Sequence, residues 1–536
     1  MGDPLDDRGS AEAVLRQVYE AAGPYLDSLA DRPVHERATE ALLAELAGPG
    51  EPARTTAGGE PPGAGAGHRA GELFDGTPLG GAPDGGGPAD GAAPDGGLPE
   101  RGVGSAAALE RLLRIGSTAA THSSGPRFFH FVIGGATPAA LAGDWTAALL
   151  DQNAGFRASS PLAAELEAIA LRWLRELFGL PDRYGGALVA SATFANFTSL
   201  AVATHWWAEQ HGVDVAADGL VTLPRMPVLS GGYLHASARK ALQMLGHGRD
   251  TAEVYARDRV GRVDLPAIER RLAELDGPAV LVANAGEVNA GDFDPVDVLA
   301  DIAERYGAWL HVDGAFGLFA ALSPRTAGLL RGIERADSIA CDGHKWLNVP
   351  YESGFAFIRE PARLPVAFGM PGTTYLPGPG SPLWSGQPGP VDYALHGPES
   401  SRRARSMPIW ATLAAYGRQG HRAMVERQLD LAQRLARGVD EAPDLERLAE
   451  VPLCIVCFRA APAHVPADEL DELNRRLGAA LLDDGRVFVG TTVYDGRVAL
   501  RPAIVNWRTT EADIDLLVDV VRELLAQLAP APRSVG

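Results

Sequence analysis

Cysteine is scarce in this sequence, and long apolar runs are missing from it. Three cysteines among 536 residues are too few for a disulfide framework, which indicates a reducing compartment. No stretch approaches the roughly 20 consecutive apolar residues that cross a bilayer. The acidic start, from Met1 to Asp7, lacks the basic and then apolar pattern of a signal sequence. We therefore expect a cytoplasmic protein without a membrane partner.

Positive charge is also in deficit. Lysine and arginine number 48 against 68 aspartates and glutamates, so the formal net charge is −20. An acidic surface repels phosphate backbones and anionic lipids, which argues against nucleic acid as a partner. Hydrophobic residues make up 46% of the chain. At this length, a globular protein with a large core and an additional domain is expected.

Two of the cysteines have the spacing of a metal-binding or redox pair. Cys454 and Cys457 lie within the apolar run from Val451 to Phe458, which is typical of a buried strand. Residues three apart on a strand point to opposite faces, and free cysteines pack as small hydrophobic side chains. We expect both to be packing residues, and we expect no metal site.

Changes in composition divide the chain into four parts. Residues 1–46 are expected to form a helical segment, with two amphipathic helices between residues 11 and 46. Residues 47–98 consist mainly of Gly, Pro, Ala and Asp. Such a stretch cannot bury enough apolar surface to offset the entropy lost on ordering, so we predict that it is disordered and dispensable for folding. Residues 99–407 should form a large α/β domain, and residues 408–536 a small α+β domain.

Helical and strand patterns alternate in the third part, which predicts a mostly parallel sheet with helices on both faces. The strands there are predicted at 186–190, 253–256, 279–283, 308–312, 337–341 and 353–358. Helices are predicted at 161–178 and 295–306. The fourth part has predicted helices at 408–438, 467–482 and 511–527 and predicted strands at 451–459, 486–490 and 497–500.

The most informative pattern is an acid that ends one predicted strand and a lysine that follows the next. Asp313 ends Trp309-Leu310-His311-Val312-Asp313, and Lys345 stands in His344-Lys345-Trp346. Pyridoxal phosphate (PLP) needs such a pair, because a lysine amine binds its aldehyde and an acid keeps its pyridine nitrogen protonated. Taken alone, a strand-end aspartate is commonly a turn former, and a Lys-Trp pair is commonly a surface lysine beside a core tryptophan. The pair therefore needs support from other segments.

One such segment is the turn Ser191-Ala192-Thr193, which lies between a predicted strand and a predicted helix. Backbone N–H groups and a hydroxyl at a helix N-terminus form an anion site that suits the cofactor phosphate. The alternative is an ordinary helix N-cap.

Together these segments resemble the PLP-dependent group II amino-acid decarboxylases, the family of aromatic-amino-acid, glutamate and histidine decarboxylases. The resemblance runs from about Pro126 to the C-terminus. It implies the aspartate-aminotransferase-like fold, known as fold type I, with a seven-stranded, mostly parallel central sheet and a small C-terminal domain. It also implies a homodimer whose two subunits share the active site.

The resemblance assigns the cofactor residues one by one. Lys345 would bind PLP, Asp313 would face the pyridine nitrogen, and His235, in Tyr233-Leu234-His235-Ala236-Ser237, would stack on the ring. Further residues expected at the cofactor are Ala192, Thr193, Ala315, Asp342 and His344. Asp342 stands where better-known members have asparagine, and a carboxylate there would repel the phosphate unless it is paired or points away.

The resemblance also assigns residues that act on the substrate. Tyr375 would be a loop tyrosine that reaches the partner subunit's site and protonates Cα; the alternative is a solvent-exposed loop aromatic. Arg501 would bind the substrate carboxylate, for which its bidentate geometry is suited. Phe131 and Phe156 would line an apolar pocket, or else pack in the core. The arginines of Ser401-Arg402-Arg403-Ala404-Arg405-Ser406 belong either to a family segment or to a surface charge run.

The implied function is decarboxylation of an L-amino acid to the amine and CO2, with an aromatic or other apolar side chain favoured over glutamate. One alternative is another PLP reaction on the same fold, such as aldehyde synthesis, transamination or C–C cleavage. Tyr375 argues against aldehyde synthesis. A catalytically silent PLP-binding protein is the other alternative, and the presence of Lys345, Asp313 and His235 argues against it.

Overall fold

The structure is a computed structural model that describes residues 9–35, 102–275, 277–370 and 391–530. These residues fall into two units. The smaller unit contains two helices, α1 (Ala11–Ser28) and α2 (Ser105–Ala119). The first predicted N-terminal helix is therefore confirmed. The second N-terminal helix falls mostly outside the described residues, and the 47–98 stretch lies wholly outside them.

The larger unit, residues 29–34 and from 122 onwards, is built on a seven-stranded sheet with the order β1-β7-β6-β5-β4-β2-β3. Strand β7 is antiparallel to both of its neighbours, and all other pairs are parallel. Every residue of β4 to β7 is buried, because helices cover both faces. The strands are β1 (Gly185–Val189), β2 (Val228–Ser230), β3 (Ala252–Val254), β4 (Val280–Asn284), β5 (Trp309–Asp313), β6 (Ser338–Asp342) and β7 (Gly354–Ile358). The predicted fold class is confirmed.

The helices around this sheet carry clear start and stop signals. The hydroxyl of Thr137 accepts a hydrogen bond from Ala140 N–H at the start of α3, with Pro138 as its first residue. Gly307 ends α9 at φ 61°, in the left-handed region that glycine adopts without strain. The helices are α3 (Pro138–Leu150), α4 (Pro161–Leu177), α5 (Ala192–Glu209), α6 (Val215–Asp218), α7 (Ala236–Met244), α8 (Leu265–Glu274), α9 (Val296–Tyr306), α10 (Gly343–Trp346) and α11 (Leu364–Phe368). No helix in the described part of the chain is long and apolar enough to span a membrane.

The C-terminal part has long helices and a second, four-stranded sheet with the order β10-β11-β9-β8. The helices are α12 (Ser406–Glu441), α13 (Leu470–Asp484) and α14 (Glu511–Leu528). The strands are β8 (Leu445–Arg447), β9 (Phe458–Ala460), β10 (Thr491–Tyr494) and β11 (Arg497–Leu500). Whether residue 407 marks the boundary between two domains stays a prediction.

Two predicted strands differ from the structure. Residues 486–490 form no strand; Phe488 makes only an isolated bridge to Phe128. The apolar run 451–459 is a strand only from Phe458 onwards. Cys454 and Cys457 are free and buried, as expected. The run is apolar because it is packed in the core, and burial alone does not imply strand pairing.

A buried ion pair joins the segment before α12 to α4 and β1. The guanidinium of Arg402 lies 2.7 Å from one carboxylate oxygen of Glu167 and donates to the Ala154 carbonyl oxygen at 2.9 Å. The two side chains are only 2% and 1% exposed. Glu167 also accepts from Leu188 N–H at 3.0 Å. Arg405 is equally buried and paired with two glutamates, so this segment is not simply a surface charge run.

Replacing Arg402 should test how strongly this pair holds the fold. Arg402→Met leaves the Glu167 carboxylate buried without its cation, so we expect a loss of roughly 3–5 kcal/mol in the free energy of unfolding. The matched control is Arg434→Met, because Arg434 and Asp515 form an exposed pair of the kind that contributes about 1 kcal/mol or less. Urea unfolding of both variants measures the difference. Equal losses would contradict a structural role for the buried pair.

Candidate active site

The parallel strands bring most of the predicted cofactor residues to one edge of the sheet. Asp313 ends β5, and Lys345 lies in α10, which directly follows β6. Ala192 begins α5 after β1, and His235 is the N-cap of α7 after β2. Because the carboxyl ends of parallel strands meet at one edge, residues far apart in sequence gather there.

Asp313 is a buried carboxylate, 5% exposed. One of its oxygens accepts from the side-chain amide of Asn196 at 2.9 Å, and the other accepts from Ala315 N–H at 3.2 Å. Among the residues that the structure describes, no cation lies within ion-pair distance of this carboxylate. Burying an unpaired charge is costly, so the site is suited to a group that brings a positive charge to Asp313.

Lys345 and His235 lie in the same electrostatic environment as Asp313. Burial is the main cause that lowers the pKa of His235; the charge of Asp313 opposes this, and the charges of Lys345 and Arg501 add to it. His235 as a whole residue nevertheless keeps exposed surface. The amine of Lys345 lies 5.6 Å from the ring centroid of Phe316. The charges of Asp313, Lys345 and Arg501 are therefore close enough to His235 to act on its ring.

The segment that contains Phe131 is packed directly against the Lys345 helix. Gly134 N–H donates to the His344 carbonyl oxygen at 2.9 Å. A Cβ on Gly134 would stand 1.9 Å from the Lys345 carbonyl oxygen, so only glycine allows this approach. Phe131 itself is 53% exposed and has φ 55°, in the left-handed region. A non-glycine residue is strained there, and the surrounding packing holds this aromatic ring in an exposed position.

Asp342 is paired rather than free. One of its oxygens accepts from Ala192 N–H at 2.7 Å, and the other lies 2.8 Å from Nδ1 of His344. The ring of His344 in turn stacks on Tyr351 with 4.4 Å between ring centroids. The hydrogen bond from Ala192 N–H partly compensates the negative charge of the Asp342 carboxylate. It also occupies the Ala192 N–H, so Thr193, in the first turn of α5, is the better placed of the two for a phosphate.

Arg501 is buried, 7% exposed, and donates to the Val288 carbonyl oxygen at 2.9 Å. Burial lowers its pKa, and the charge of Glu287 acts in the opposite direction. Glu287 is itself buried, which raises its pKa, and it accepts from the backbone N–H groups of Asn289 and Ala290. Sequence reasoning did not connect Glu287 with Arg501, because the two residues lie far apart in the chain.

The remaining predicted residues are not brought to this edge by the described contacts. Phe156 is buried in the turn between α3 and α4. The next residue, Arg157, donates its backbone N–H to the Asp392 carboxylate. The role of Phe156 in substrate binding stays a prediction. Tyr375 lies outside the described residues, so its position stays a prediction as well. Sequence reasoning missed Asn196, which is fully buried and lies on α5, three residues after the turn Ser191-Ala192-Thr193; a polar residue in a buried helix was the available signal.

The arrangement fits PLP. In the part of the chain that the structure describes, the buried carboxylate of Asp313 has no cation beside it and the half-buried Lys345 has no ion-pair partner. Both residues lie at the same end of the sheet as a helix N-terminus and the exposed His235. PLP matches these features with a pyridine nitrogen, an aldehyde and a phosphate. Lys345, Asp313, His235 and Thr193 are the residues that would hold it.

Sequence comparison decides the family. The profile of the pyridoxal-dependent decarboxylase conserved domain matches residues 107–461, which is more than half of the chain. The chain belongs to the pyridoxal-dependent decarboxylase family. It is therefore a PLP-dependent carboxy-lyase, and the resemblance stated from its motifs is confirmed.

Individual relatives within the family are named after different substrates and products. Aromatic-L-amino-acid decarboxylase of Bacillus atrophaeus is 28% identical over 414 residues, which cover 76% of this chain and 83% of that protein. L-2,4-diaminobutyrate decarboxylase of Rhizobium meliloti is 30% identical over 394 residues, covering 73% and 76%. Phenylacetaldehyde synthase of Arabidopsis thaliana is 26% identical over 415 residues, covering 75% and 82%. Membership in the family thus leaves the substrate open.

Solved structures support the fold. The Oryza sativa protein TDC, crystallised with PLP and tryptamine, superposes with a TM-score of 0.81 and covers 98% of this chain and 100% of its own, at 22% identity. At that level of identity the comparison concerns the fold alone. It agrees with the seven-stranded sheet described above.

Labelling can identify the lysine that binds PLP. The sequence has only two lysines, Lys240 and Lys345, and Lys240 is exposed on α7. Borohydride reduction of the PLP-loaded protein, followed by peptide mass spectrometry, should find the cofactor on Lys345. Lys345→Ala should lose the label and the visible absorption, whereas Lys240→Ala should keep both. A label on Lys240 in the wild-type protein would refute the assignment.

Proposed function

We propose that this enzyme decarboxylates an L-amino acid with an aromatic or other apolar side chain, and that it acts in the cytoplasm as a homodimer. The observation that carries the proposal is that Asp313 at the end of β5, Lys345 directly after β6 and His235 directly after β2 lie at the same end of the parallel strands, where the charge of Arg501 also acts on His235. This grouping provides an amine for the cofactor, an anion for its ring nitrogen and a cation for a substrate carboxylate. The family of the chain and the name of its Bacillus relative support the same reaction.

When bound, PLP supplies an acceptor for the electron pair that remains at Cα after CO2 leaves. The task of Asp313 is to hold a proton on the ring nitrogen. Its two oxygens are oriented by Asn196 and by Ala315 N–H, so the carboxylate does not need to reorganise during the reaction. His235 provides a flat ring near Asp313 and Lys345.

Arg501 is the proposed anchor for the substrate carboxylate. One of its N–H groups is held by the Val288 carbonyl oxygen, which fixes the guanidinium and leaves other donors free for an anion. Burial strengthens the attraction, because the effective dielectric constant is low there. Holding the carboxylate also sets the direction of the bond that breaks.

The preference for an apolar substrate side chain is supported by the aromatic rings of Phe131 and Phe316. Phe131 is half exposed and lies against His130, with 3.8 Å between ring centroids. Phe316 lies below the Lys345 amine. An apolar substrate side chain would cover these rings and exclude water from the reacting carbon.

The homodimer is supported by apolar side chains that remain exposed on α3, α4 and the start of α12. These are Trp145, Leu149, Leu150, Leu162 and Trp410, with exposures between 37% and 73%. A cluster of large exposed apolar groups commonly marks an interface. A second copy of the chain would cover it.

An amino-acid panel tests the reaction. Purified enzyme with added PLP should release CO2 and amine in equal amounts from an aromatic or aliphatic amino acid, and more slowly from glutamate or 2,4-diaminobutyrate. Ammonia and peroxide, measured in the same samples, detect aldehyde synthesis, whereas an oxo acid detects transamination. The control is Lys345→Ala, which should release nothing. Ammonia and peroxide in amounts equal to CO2 would replace decarboxylation with aldehyde synthesis as the function.

Tyr375 is the proposed proton donor to Cα, and its replacement tests this role. Tyr375→Phe should keep the visible absorption of bound PLP but lose amine formation by roughly 10²- to 10⁴-fold, the size typical of a removed general acid. Mixing this variant with inactive Lys345→Ala should restore activity, because one subunit of a mixed dimer supplies the lysine and the other supplies the tyrosine. Full activity of Tyr375→Phe would assign the proton to another group. Failure of the rescue, after subunit exchange has been demonstrated, would contradict a shared active site.

A further inference from the structure

A continuous chain of buried hydrogen bonds runs from Asp313 into the sheet. It passes through Asn196 on α5 to His311 on β5, then to Ser338 on β6 and to Trp309. Asn196, His311 and Ser338 have no exposed surface, and Trp309 is 3% exposed. A buried polar network is costly unless all of its members are satisfied, so its presence behind the cofactor residues needs an explanation.

The hydrogen-bond partners of the Asn196 side chain fix which of its two terminal atoms is the nitrogen and which is the oxygen. The Asp313 carboxylate can only accept, so the Asn196 atom 2.9 Å from it is the amide nitrogen. The amide oxygen therefore faces Nε2 of His311 at 2.8 Å. Because an amide oxygen only accepts, Nε2 of His311 must carry the hydrogen.

The other end of the chain agrees with this direction. The indole N–H of Trp309 can only donate, and it donates to the Ser338 hydroxyl oxygen at 2.9 Å. The hydroxyl hydrogen of Ser338 is then available for Nδ1 of His311, also at 2.9 Å. Burial lowers the pKa of His311 to about 4, so the ring is neutral and has a single hydrogen, on Nε2. Every donor in the chain thus points toward Asp313.

The chain branches at Asn196. Its second amide hydrogen is donated to the Ser237 hydroxyl oxygen at 3.1 Å. The Ser237 hydroxyl in turn lies 2.7 Å from Nδ1 of His235, and Ser237 N–H donates to the same atom at 3.1 Å. Nδ1 of His235 is therefore an acceptor, and neutral His235 carries its hydrogen on Nε2.

We propose that Asn196 is a positioning residue that sets the orientation of the Asp313 carboxylate and, by donating to the Ser237 hydroxyl, supports the tautomer of His235 that Ser237 N–H selects, and that His311 and Ser338 hold its amide in place. This inference rests on the proposed roles of Asp313 and His235 at the cofactor. It adds that the two roles are coupled: one side chain, without contact to the reacting atoms, prepares both.

Asn196→Asp is the most direct test. The aspartate has the same shape, but it cannot donate, and its charge repels Asp313. We expect PLP to bind the apoprotein roughly 10- to 100-fold more weakly, as for the loss of a hydrogen bond to a charged group. The circular dichroism of the bound cofactor should also change. For the amino acid that the panel identifies, kcat should fall more than KM rises, because Arg501 is untouched.

The matched control is Asn474→Asp. Asn474 is also fully buried and makes three hydrogen bonds to backbone groups, of Ala460 and Leu470. It lies on α13. This variant should lose stability without a change in the PLP dissociation constant or in the cofactor's circular dichroism. Wild-type PLP affinity and dichroism in folded Asn196→Asp would overturn the proposal.

A second pair of variants decides the question if Asn196→Asp does not fold. In His311→Gln the side-chain amide retains a donor for the Asn196 oxygen, whereas His311→Leu removes it. The proposal expects His311→Gln to keep PLP affinity near that of the wild type and His311→Leu to lose it. Equal affinities in the two variants would overturn it. These cofactor measurements do not depend on which reaction the enzyme catalyses, so a failure of the proposed decarboxylation would be recognised separately, in the product assay.

Discussion

The buried carboxylate of Asp313 is the constraint on which the rest of the site depends. A charge removed from water is costly unless hydrogen bonds and an opposite charge compensate it. The protein supplies the hydrogen bonds, from Asn196 and from Ala315 N–H, and leaves the opposite charge to the cofactor. The polar network behind Asn196 exists in an otherwise apolar sheet because this carboxylate must be held in a single orientation.

Two further buried acids lie beside residues of the proposed site. Asp342 and Glu287 are both buried, and each accepts hydrogen bonds from backbone N–H groups. Asp342 also lies beside His344, and Glu287 lies near Arg501. The negative charge of each carboxylate is therefore offset by neighbouring groups. Each acid also changes what its neighbours bind. The Ala192 N–H serves a carboxylate, and the turn that contains Glu287 presents a carbonyl oxygen to Arg501.

The long helices and most strands of the central sheet could be predicted, because their apolar periodicity extends over several residues and their caps are explicit. Strand β2 has only three residues, as do β8 and β9, and a pattern this short carries no period. The apolar residues from Val451 to Cys457 were read as a strand because burial and strand pairing leave the same trace in a sequence. Prediction of the site was limited in the same way, because a sequence motif identifies the type of a residue but not the residues that contact it.

The sequence by itself determined the family and the cofactor, and it led to the proposal that Lys345, Asp313 and His235 hold that cofactor, because PLP chemistry requires these residue types in recognisable local segments. Only the tertiary structure decided what surrounds them. Asn196 and His311 lie 115 positions apart, and the packing of α5 on β5 brings their side chains together. Such contacts depend on strand order and on the direction of buried donors, and neither is encoded in the spacing of residues along the chain.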